Sequence, residues 1–132
     1  MKTLKDIEIK DFNDSNFIRF KNISIDEDTE VYNVTMHVFV KNNFLQCISD
    51  SLTFHYKKLL TFFDNCNEIY DKLTGSATIE SIENKKCILT LKAINRGYIE
   101  ISGTIEQLHD SNKCEFYLLF DQTCLKDKFH IS

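Results

Sequence analysis

The segment FDQTCL and the residues after it contain the side chains that come closest to a catalytic set. Cys124 is a candidate nucleophile, His130 a candidate base and Asp121 a candidate orienting group, because a reactive thiolate needs an imidazole within hydrogen-bond reach. No glycine-rich turn that would supply an oxyanion hole accompanies them, and Cys124 directly follows a strand-like run, where cysteine is usually a buried structural residue. We therefore predict no enzymatic activity, and thiol chemistry at Cys124 stays as one alternative hypothesis.

Metal and cofactor chemistry needs clusters of histidine, cysteine or carboxylate, and the spacing of these residues does not form one. The histidines are dispersed along the chain and form no HxH or HExxH pair: His37, His55, His109 and His130. The cysteines form an odd set without a CxxC pair: Cys47, Cys66, Cys87, Cys114 and Cys124. The pattern predicts no metal site, no cofactor and no disulfide framework, and it favours reduced thiols in a cytoplasm.

The acidic segment DEDTE at 26–30 imitates the opening of a calcium-binding loop. Asp26, Asp28 and Glu30 alternate as such ligands do, but the required glycine is missing and the twelfth loop position is His37 instead of a glutamate. We interpret the segment as a solvated acidic loop, which also has the charge to steer association with a basic partner.

Length and composition limit the class of protein. The chain has 132 residues, of which 42% are apolar, and this predicts a single domain over residues 1–132 with one continuous core. The net charge is -4 and no basic stripe is present, which argues against nucleic-acid binding. No window approaches the roughly 18 apolar residues of a membrane span, and the first residues contain no signal-peptide core.

The elements that must position these residues follow from the hydrophobic periodicity. Runs with a period of two predict seven strands, at 17–25, 31–40, 44–48, 77–82, 87–94, 98–107 and 114–120. Apolar positions at three- and four-residue steps predict one helix over 52–73, started by Asp50 or Ser51 and followed by Gly75 in a left-handed conformation. Because the connections after Gly75 are short, neighbouring strands must be antiparallel. The predicted fold is α+β, with about seven mainly antiparallel strands, in a curved sheet or a sandwich, around one central helix.

Two local features are predicted beyond the element boundaries. In the first strand Phe17, Ile23 and Ile25 share a face with Arg19 and Lys21, and a β-bulge would resolve this conflict. In the closing segment, Asp121 and Thr123 have short side chains that can bond nearby backbone N–H groups and cap the turn that follows. Leu125 and Phe129 would then fold back onto the edge of the core.

From Phe44 onward the order of parts resembles the small WapI-type immunity proteins of bacterial polymorphic-toxin systems and a related small family of unassigned function. The likeness covers roughly residues 32–126 and rests on LLTFFDNCNEIYDKLTG, ATIESIE, ILTLKAINRGYIEISGTI and FYLLFDQTCL. The matching residues are Leu73, Gly75, Gly97, Gly103, Phe120, Asp121, Gln122, Thr123 and Leu125. Cys124 stands where an aromatic residue is usual, and the first thirty residues have no counterpart.

The resemblance implies a non-catalytic cytoplasmic protein that binds and neutralises the toxin domain of its own system. Such a protein needs only a complementary surface, with acidic residues opposing a toxin that is often basic. The candidate partner-binding residues are Asp26, Glu27, Asp28, Glu30, Glu100, Glu106 and Asp110. The abundant aromatic residues keep a second hypothesis open, a module that binds a small molecule or carbohydrate between helix and sheet.

Overall fold

The computed structural model describes residues 2–11, 15–26, 33–83, 86–106 and 113–130. These residues form two antiparallel sheets and one α-helix, which confirms the predicted α+β class. The described part contains ten strands instead of about seven. The three additional strands are short, and two of them lie within the first ten residues of the chain.

The first sheet contains six strands arranged at four positions. Its strands are β1 (Lys2–Thr3), β2 (Ile7–Lys10), β3 (Phe17–Asp26), β4 (Asn33–Lys41), β5 (Gln46–Ile48) and β6 (Leu52–His55). The long strands β3 and β4 pair with each other in the centre. Both β1 and β2 pair with the free side of β3, and both β5 and β6 pair with the free side of β4. Each outer position of this sheet is therefore divided into two short strands.

The predicted bulge in β3 is confirmed. The pairing of β3 with β4 shifts register between Lys21 and Ser24, and Asn22 adopts a positive φ of 56°. Before the shift Ile18 and Phe20 are buried, and after it Ile23 and Ile25 are buried. The extra residue thus turns the apolar side chains on both sides of the bulge toward the same core.

The second sheet is a regular meander of four strands. It comprises β7 (Ser76–Glu80), β8 (Cys87–Ala93), β9 (Tyr98–Glu106) and β10 (Lys113–Asp121), in the spatial order β10-β9-β8-β7. Burial alternates along β7 and β10, so one face of the sheet packs on the core and the other is exposed. The tight turn between β8 and β9 has positive φ at two successive residues, Arg96 (67°) and Gly97 (77°).

The helix α1 (Tyr56–Lys72) begins later than predicted. Leu52–His55 forms β6 instead, because its backbone pairs with β4 in a register that joins Met36 to Leu52 and Asn33 to His55. The N-cap residue is His55, without a side-chain capping bond, so the predicted cap by Asp50 or Ser51 is wrong. At the other end the C-cap residue is Leu73, with φ 58° and ψ 30°, and Gly75 two residues later has a positive φ of 99°, as predicted.

One hydrophobic core joins both sheets and the helix. The helix contributes five buried side chains to it, from Leu59, Phe62, Phe63, Cys66 and Ile69. The space between helix and sheets, where the second hypothesis needs a ligand cavity, is therefore occupied by side chains. Leu125 and Phe129 are 1% and 2% exposed and join the same core, which confirms the predicted fold-back of the closing segment.

A disulfide links the two sheets, contrary to the expectation of five reduced thiols. Cys47 on β5 and Cys114 on β10 are bonded, with their Cα atoms 6.2 Å apart. Both residues are buried, and 67 positions of sequence separate them. Cys66, Cys87 and Cys124 are free. Sequence spacing did not indicate this pair, because the bond depends on how the edges of two sheets meet.

Two buried serines continue strand pairing where the regular ladders end. The N–H of Ser49 donates to the Val38 carbonyl (2.9 Å), and its Oγ accepts from the Val38 N–H (2.8 Å). The N–H of Ser81 donates to the Cys87 carbonyl (2.9 Å), and its Oγ accepts from the Cys87 N–H (3.0 Å). In both cases the hydroxyl takes the place of the serine's own carbonyl as acceptor.

We expect Ser49→Ala to lower the free energy of unfolding by about 1–3 kcal/mol, because it leaves the buried Val38 N–H without an acceptor. Ser81→Ala should have a similar effect through the Cys87 N–H. Urea unfolding monitored by circular dichroism measures both changes. The control is Ser51→Ala at an exposed position, and a Ser49→Ala protein as stable as this control would contradict the assignment.

Candidate binding surface

The closing segment forms a capped turn. Asp121 ends β10 and caps the 3-10 turn at Gln122–Leu125. Its carboxylate accepts from the Thr123 N–H and from the Thr123 hydroxyl, both at 2.9 Å, as the sequence predicted. These two bonds lower the pKa of Asp121. The turn directs Leu125 into the core, which gives the segment a structural role.

Two of the residues that carry the resemblance lie near each other at this point. A Cβ placed on Gly97 would lie 3.6 Å from the side-chain amide carbon of Gln122, which is an ordinary van der Waals distance. The β8–β9 turn therefore lies beside the segment that follows β10, and the space between them has room for a Cβ. Gly75 lies in the connection between α1 and β7 with φ 99°, and Phe120 is 1% exposed in the core.

The environment of Cys124 opposes thiolate formation. Partial burial raises the pKa of Cys124, and the negative charge of Asp121 raises it further. Both bonds from Thr123 go to Oδ1 of Asp121, and among the described residues no hydrogen bond joins Asp121 to His130. Burial also raises the pKa of Cys66, and burial together with the charge of Glu83 raises that of Cys87 to about 12. None of the three free thiols is placed to react as an anion at neutral pH.

Metal ligation finds no support in the part of the chain that the structure describes. Within it, no three side chains of His, Cys, Asp or Glu are gathered closely enough to hold a metal ion.

The helix α1 is neither long nor apolar enough to cross a membrane, and it is the longest helix among the described residues.

The exposed face of the second sheet carries an amphipathic patch. We call it the outer patch and define it by Tyr98, Glu100, Glu106, Tyr117 and Leu119. Glu100 on β9 lies opposite Leu119 on β10, and Tyr98 lies opposite the next outward residue of β10. Tyr117 is 52% exposed and Leu119 is 43% exposed. Large apolar side chains are thus exposed next to carboxylates on a rigid sheet.

Within the outer patch, Tyr117 interacts electrostatically with Glu100. Partial burial and the neighbouring negative charge of Glu100 raise the pKa of the Tyr117 phenol. The phenol therefore stays neutral, and an aromatic ring with a polar end lies beside an acid. Tyrosines in this setting are enriched in the centres of protein interfaces.

The structure brings together only some of the predicted partner-binding residues. Glu100 and Glu106 share the outward face of β9. Asp26 belongs to the first sheet, where it ends β3 opposite Asn33. Glu27, Asp28, Glu30 and Asp110 lie outside the described residues. The acidic loop and the outer patch therefore start from different sheets.

The apolar residues of the outer patch were missed by the sequence interpretation, although a signal was present. In β10 the buried residues are Cys114, Phe116, Leu118 and Phe120. Their spacing assigns Tyr117 and Leu119 to the opposite face, where an antiparallel sheet normally carries polar residues. Apolar side chains at outward positions of a half-exposed strand are the sign of a covered or binding face.

The geometry defines a class of protein, an α+β domain with an exposed amphipathic sheet face and no gathered catalytic set among its described residues. Neither family models, nor curated proteins, nor solved structures yield a match to this chain.

Proposed function

We propose that the protein is a non-catalytic binding protein of immunity type, which neutralises a cognate toxin domain through the outer patch. The observation that carries the proposal is the exposure of Tyr117 and Leu119 beside Glu100 on the second sheet. A surface of this kind supplies apolar anchors for affinity and carboxylates for steering a basic partner.

The resemblance to WapI-type immunity proteins supports the same function from a different direction. Its matching residues Gly97 and Gln122 lie near each other, at the junction between the β8–β9 turn and the segment after β10. This junction lies at the end of the sheet that carries the outer patch. The resemblance thus concerns the sheet that the proposal uses.

The small-molecule alternative is less well supported by the geometry. The helix side chains occupy the space between α1 and the sheets, and the cavity beside Leu4, Leu59 and His130 has a volume of about 250 Å³. A second cavity, between α1 and β7, has a volume of about 440 Å³ but is lined mostly by polar side chains. Ligand pockets usually measure roughly 300–1,000 Å³ and are mainly apolar. A flat, exposed face suits a protein partner better.

The test begins with the gene immediately upstream of this one: if it encodes a toxin domain, that domain is produced with and without this chain. We expect a stable complex in solution and rescue of growth on co-expression. Tyr117→Ala should weaken the complex at least about tenfold, because truncating a tyrosine at an interface hot spot costs about 2 kcal/mol or more. Isothermal titration calorimetry measures this change.

Ile82→Ala is the matched control for this experiment. Ile82 is 43% exposed, as Leu119 is, but it lies in the turn after β7 and not in the outer patch. The control should bind like the wild type. A complex that Tyr117→Ala and Leu119→Ala leave unchanged would reject the outer patch, and co-expression that fails to rescue growth would reject the immunity function.

A cytoplasmic location belongs to the proposal because the resemblance implies it. The Cys47–Cys114 disulfide makes this location testable, since such bonds persist mainly in oxidising compartments. Rapid alkylation of intact cells should trap both cysteines as thiols if the protein works in a reducing cytoplasm. If alkylation instead finds the disulfide intact, the protein acts in an oxidising compartment.

A further inference from the structure

The second sheet has two edges, β10 and β7, and they differ in what contacts them. At β10 the side chain of Asn42 donates to the Tyr117 carbonyl (3.4 Å), and the disulfide holds β5 against Cys114. At the other edge, β7 pairs with β8 and with no further strand of the described residues. The five residues of β7 pair in continuous register, without the bulge that commonly protects an edge.

The backbone groups on the free side of β7 can be assigned from one bond. The Ser81 N–H donates to the Cys87 carbonyl, so Ser81 directs its backbone toward β8. Alternate residues of an antiparallel strand direct both backbone groups to the same side. Thr78 and Glu80 therefore direct their N–H and C=O groups away from β8. Just past β7 on the same side, the Ile82 N–H donates to the Thr53 carbonyl of β6 (2.8 Å), so the free edge ends at Glu80.

A groove of about 440 Å³ lies along this edge, between β7 and the first half of α1. Its apolar floor consists of Phe62 and Ile79, which are buried. The helix side contributes Lys57 and Lys58, both exposed. Among the described residues, neither lysine forms an ion pair.

We propose that this groove, which we call the β7 groove, binds an extended acidic segment of another protein as an additional strand on β7. The backbone groups of Thr78 and Glu80 would pair with the added strand, and its alternate side chains would face the helix. Lys57 and Lys58 give that side of the groove a charge of two, against the single carboxylate of Glu80. The charge selects acidic side chains on the incoming strand.

This inference is independent of the proposed toxin binding. The β7 groove lies at the β7 edge and against the helix, whereas the outer patch centres on β9 and β10. The test of the β7 groove contains no toxin. Its failure would therefore leave the proposed function untouched, and failure of the toxin experiment would leave the β7 groove untouched.

The test is a titration of isotope-labelled protein with a capped seven-residue peptide that alternates threonine and glutamate, followed by two-dimensional NMR. We expect saturable shifts at the amides of Thr78 and Glu80. The same peptide with lysine in place of glutamate should bind at least about tenfold more weakly because it meets like charges. Shifts confined to other strands, or no shifts at millimolar peptide, would overturn the proposal.

Variants separate the backbone contribution from the charge. Thr78→Pro removes the outward N–H without breaking the ladder to β8, because proline is tolerated where the amide faces away from the sheet. It should abolish peptide binding, whereas Thr78→Ala, which keeps the N–H, should not. Equal binding by Thr78→Pro and Thr78→Ala, both folded, would overturn the strand-addition geometry.

The charge is tested by Lys57→Glu combined with Lys58→Glu, which should reduce affinity for the acidic peptide at least about tenfold. Lys126→Glu is the matched control, since Lys126 is exposed and lies after β10. The lysine variants test the proposal even if the Thr78→Pro protein does not fold. Amide shifts at Thr78 that depend on protein concentration without peptide would assign the edge to a second copy of the chain, contrary to the proposal.

Discussion

Reduction of the Cys47–Cys114 disulfide should lower the free energy of unfolding by about 4 kcal/mol, the chain-entropy value for a closed loop of this length. The loop spans 67 positions and includes β6, α1, β7, β8 and β9, so reduction releases a large restriction on the unfolded chain. Urea unfolding of the same preparation, with and without a strong phosphine reductant, measures the difference.

The control for this prediction is the variant with Cys47→Ala and Cys114→Ala, whose stability should not respond to the reductant. In the denatured wild type without reductant, three thiols should react with a thiol reagent, from Cys66, Cys87 and Cys124. Five reactive thiols, together with no effect of reductant on unfolding, would show that the two sheets are not covalently joined.

Substitution of Gly103 by alanine should destabilise the protein by about 3 kcal/mol, because it forces backbone atoms apart. A Cβ on Gly103 would lie 2.0 Å from the Ile88 carbonyl oxygen and 3.2 Å from the Leu89 Cα. These atoms belong to the backbone of β8, which cannot rotate away as a side chain does. The whole strand would have to move relative to β9.

Ser102→Ala is the matched control for Gly103→Ala. It changes the neighbouring residue on the outward face of β9, and we expect a change within about 0.5 kcal/mol. Urea unfolding compares the two variants, and amide hydrogen exchange along β8 and β9 locates the disturbance. If Gly103→Ala unfolds at the same urea concentration as the control, the close approach of β8 to β9 is wrong.

The strands were predictable where local pattern and burial agree. In β9 the inward residues Ile99, Ile101 and Ile105 alternate with polar residues, and the observed strand agrees with the predicted one over 98–106, the part of it that the structure describes. The bulge in β3 was predictable for the same reason, since a mismatch of faces within ten residues needs an extra residue near its middle.

The helix start was not predictable from local pattern. Leu52 and Phe54 fit a strand with a period of two, and Leu52 and Tyr56 fit a helix with steps of four. The residue at which the helix begins is set by β4. The side of β4 that faces away from β3 pairs with Leu52–His55 and so supplies the backbone hydrogen bonds that a helix would otherwise provide. Tertiary pairing overrode a helical periodicity that was real from Tyr56 onward.

The candidate surfaces were also predictable only in part. Glu100 and Glu106 were correctly assigned to a solvated face, because alternation within one strand is enough to place them. That Tyr117 and Leu119 lie beside them depends on the pairing of β9 with β10. The β7 groove depends on a helix that lies beside β7, an edge strand of the second sheet.

By itself, the sequence determined the α+β class, the antiparallel strands, the side that each regular strand buries and the Asp121 cap. These features arise between residues that are neighbours along the chain, through steric alternation and short-range hydrogen bonds. Only the tertiary structure decided the disulfide partners, the strand Leu52–His55 and the two surfaces. Each of these joins residues that are distant in sequence, and their contact results from how two sheets and a helix share one core.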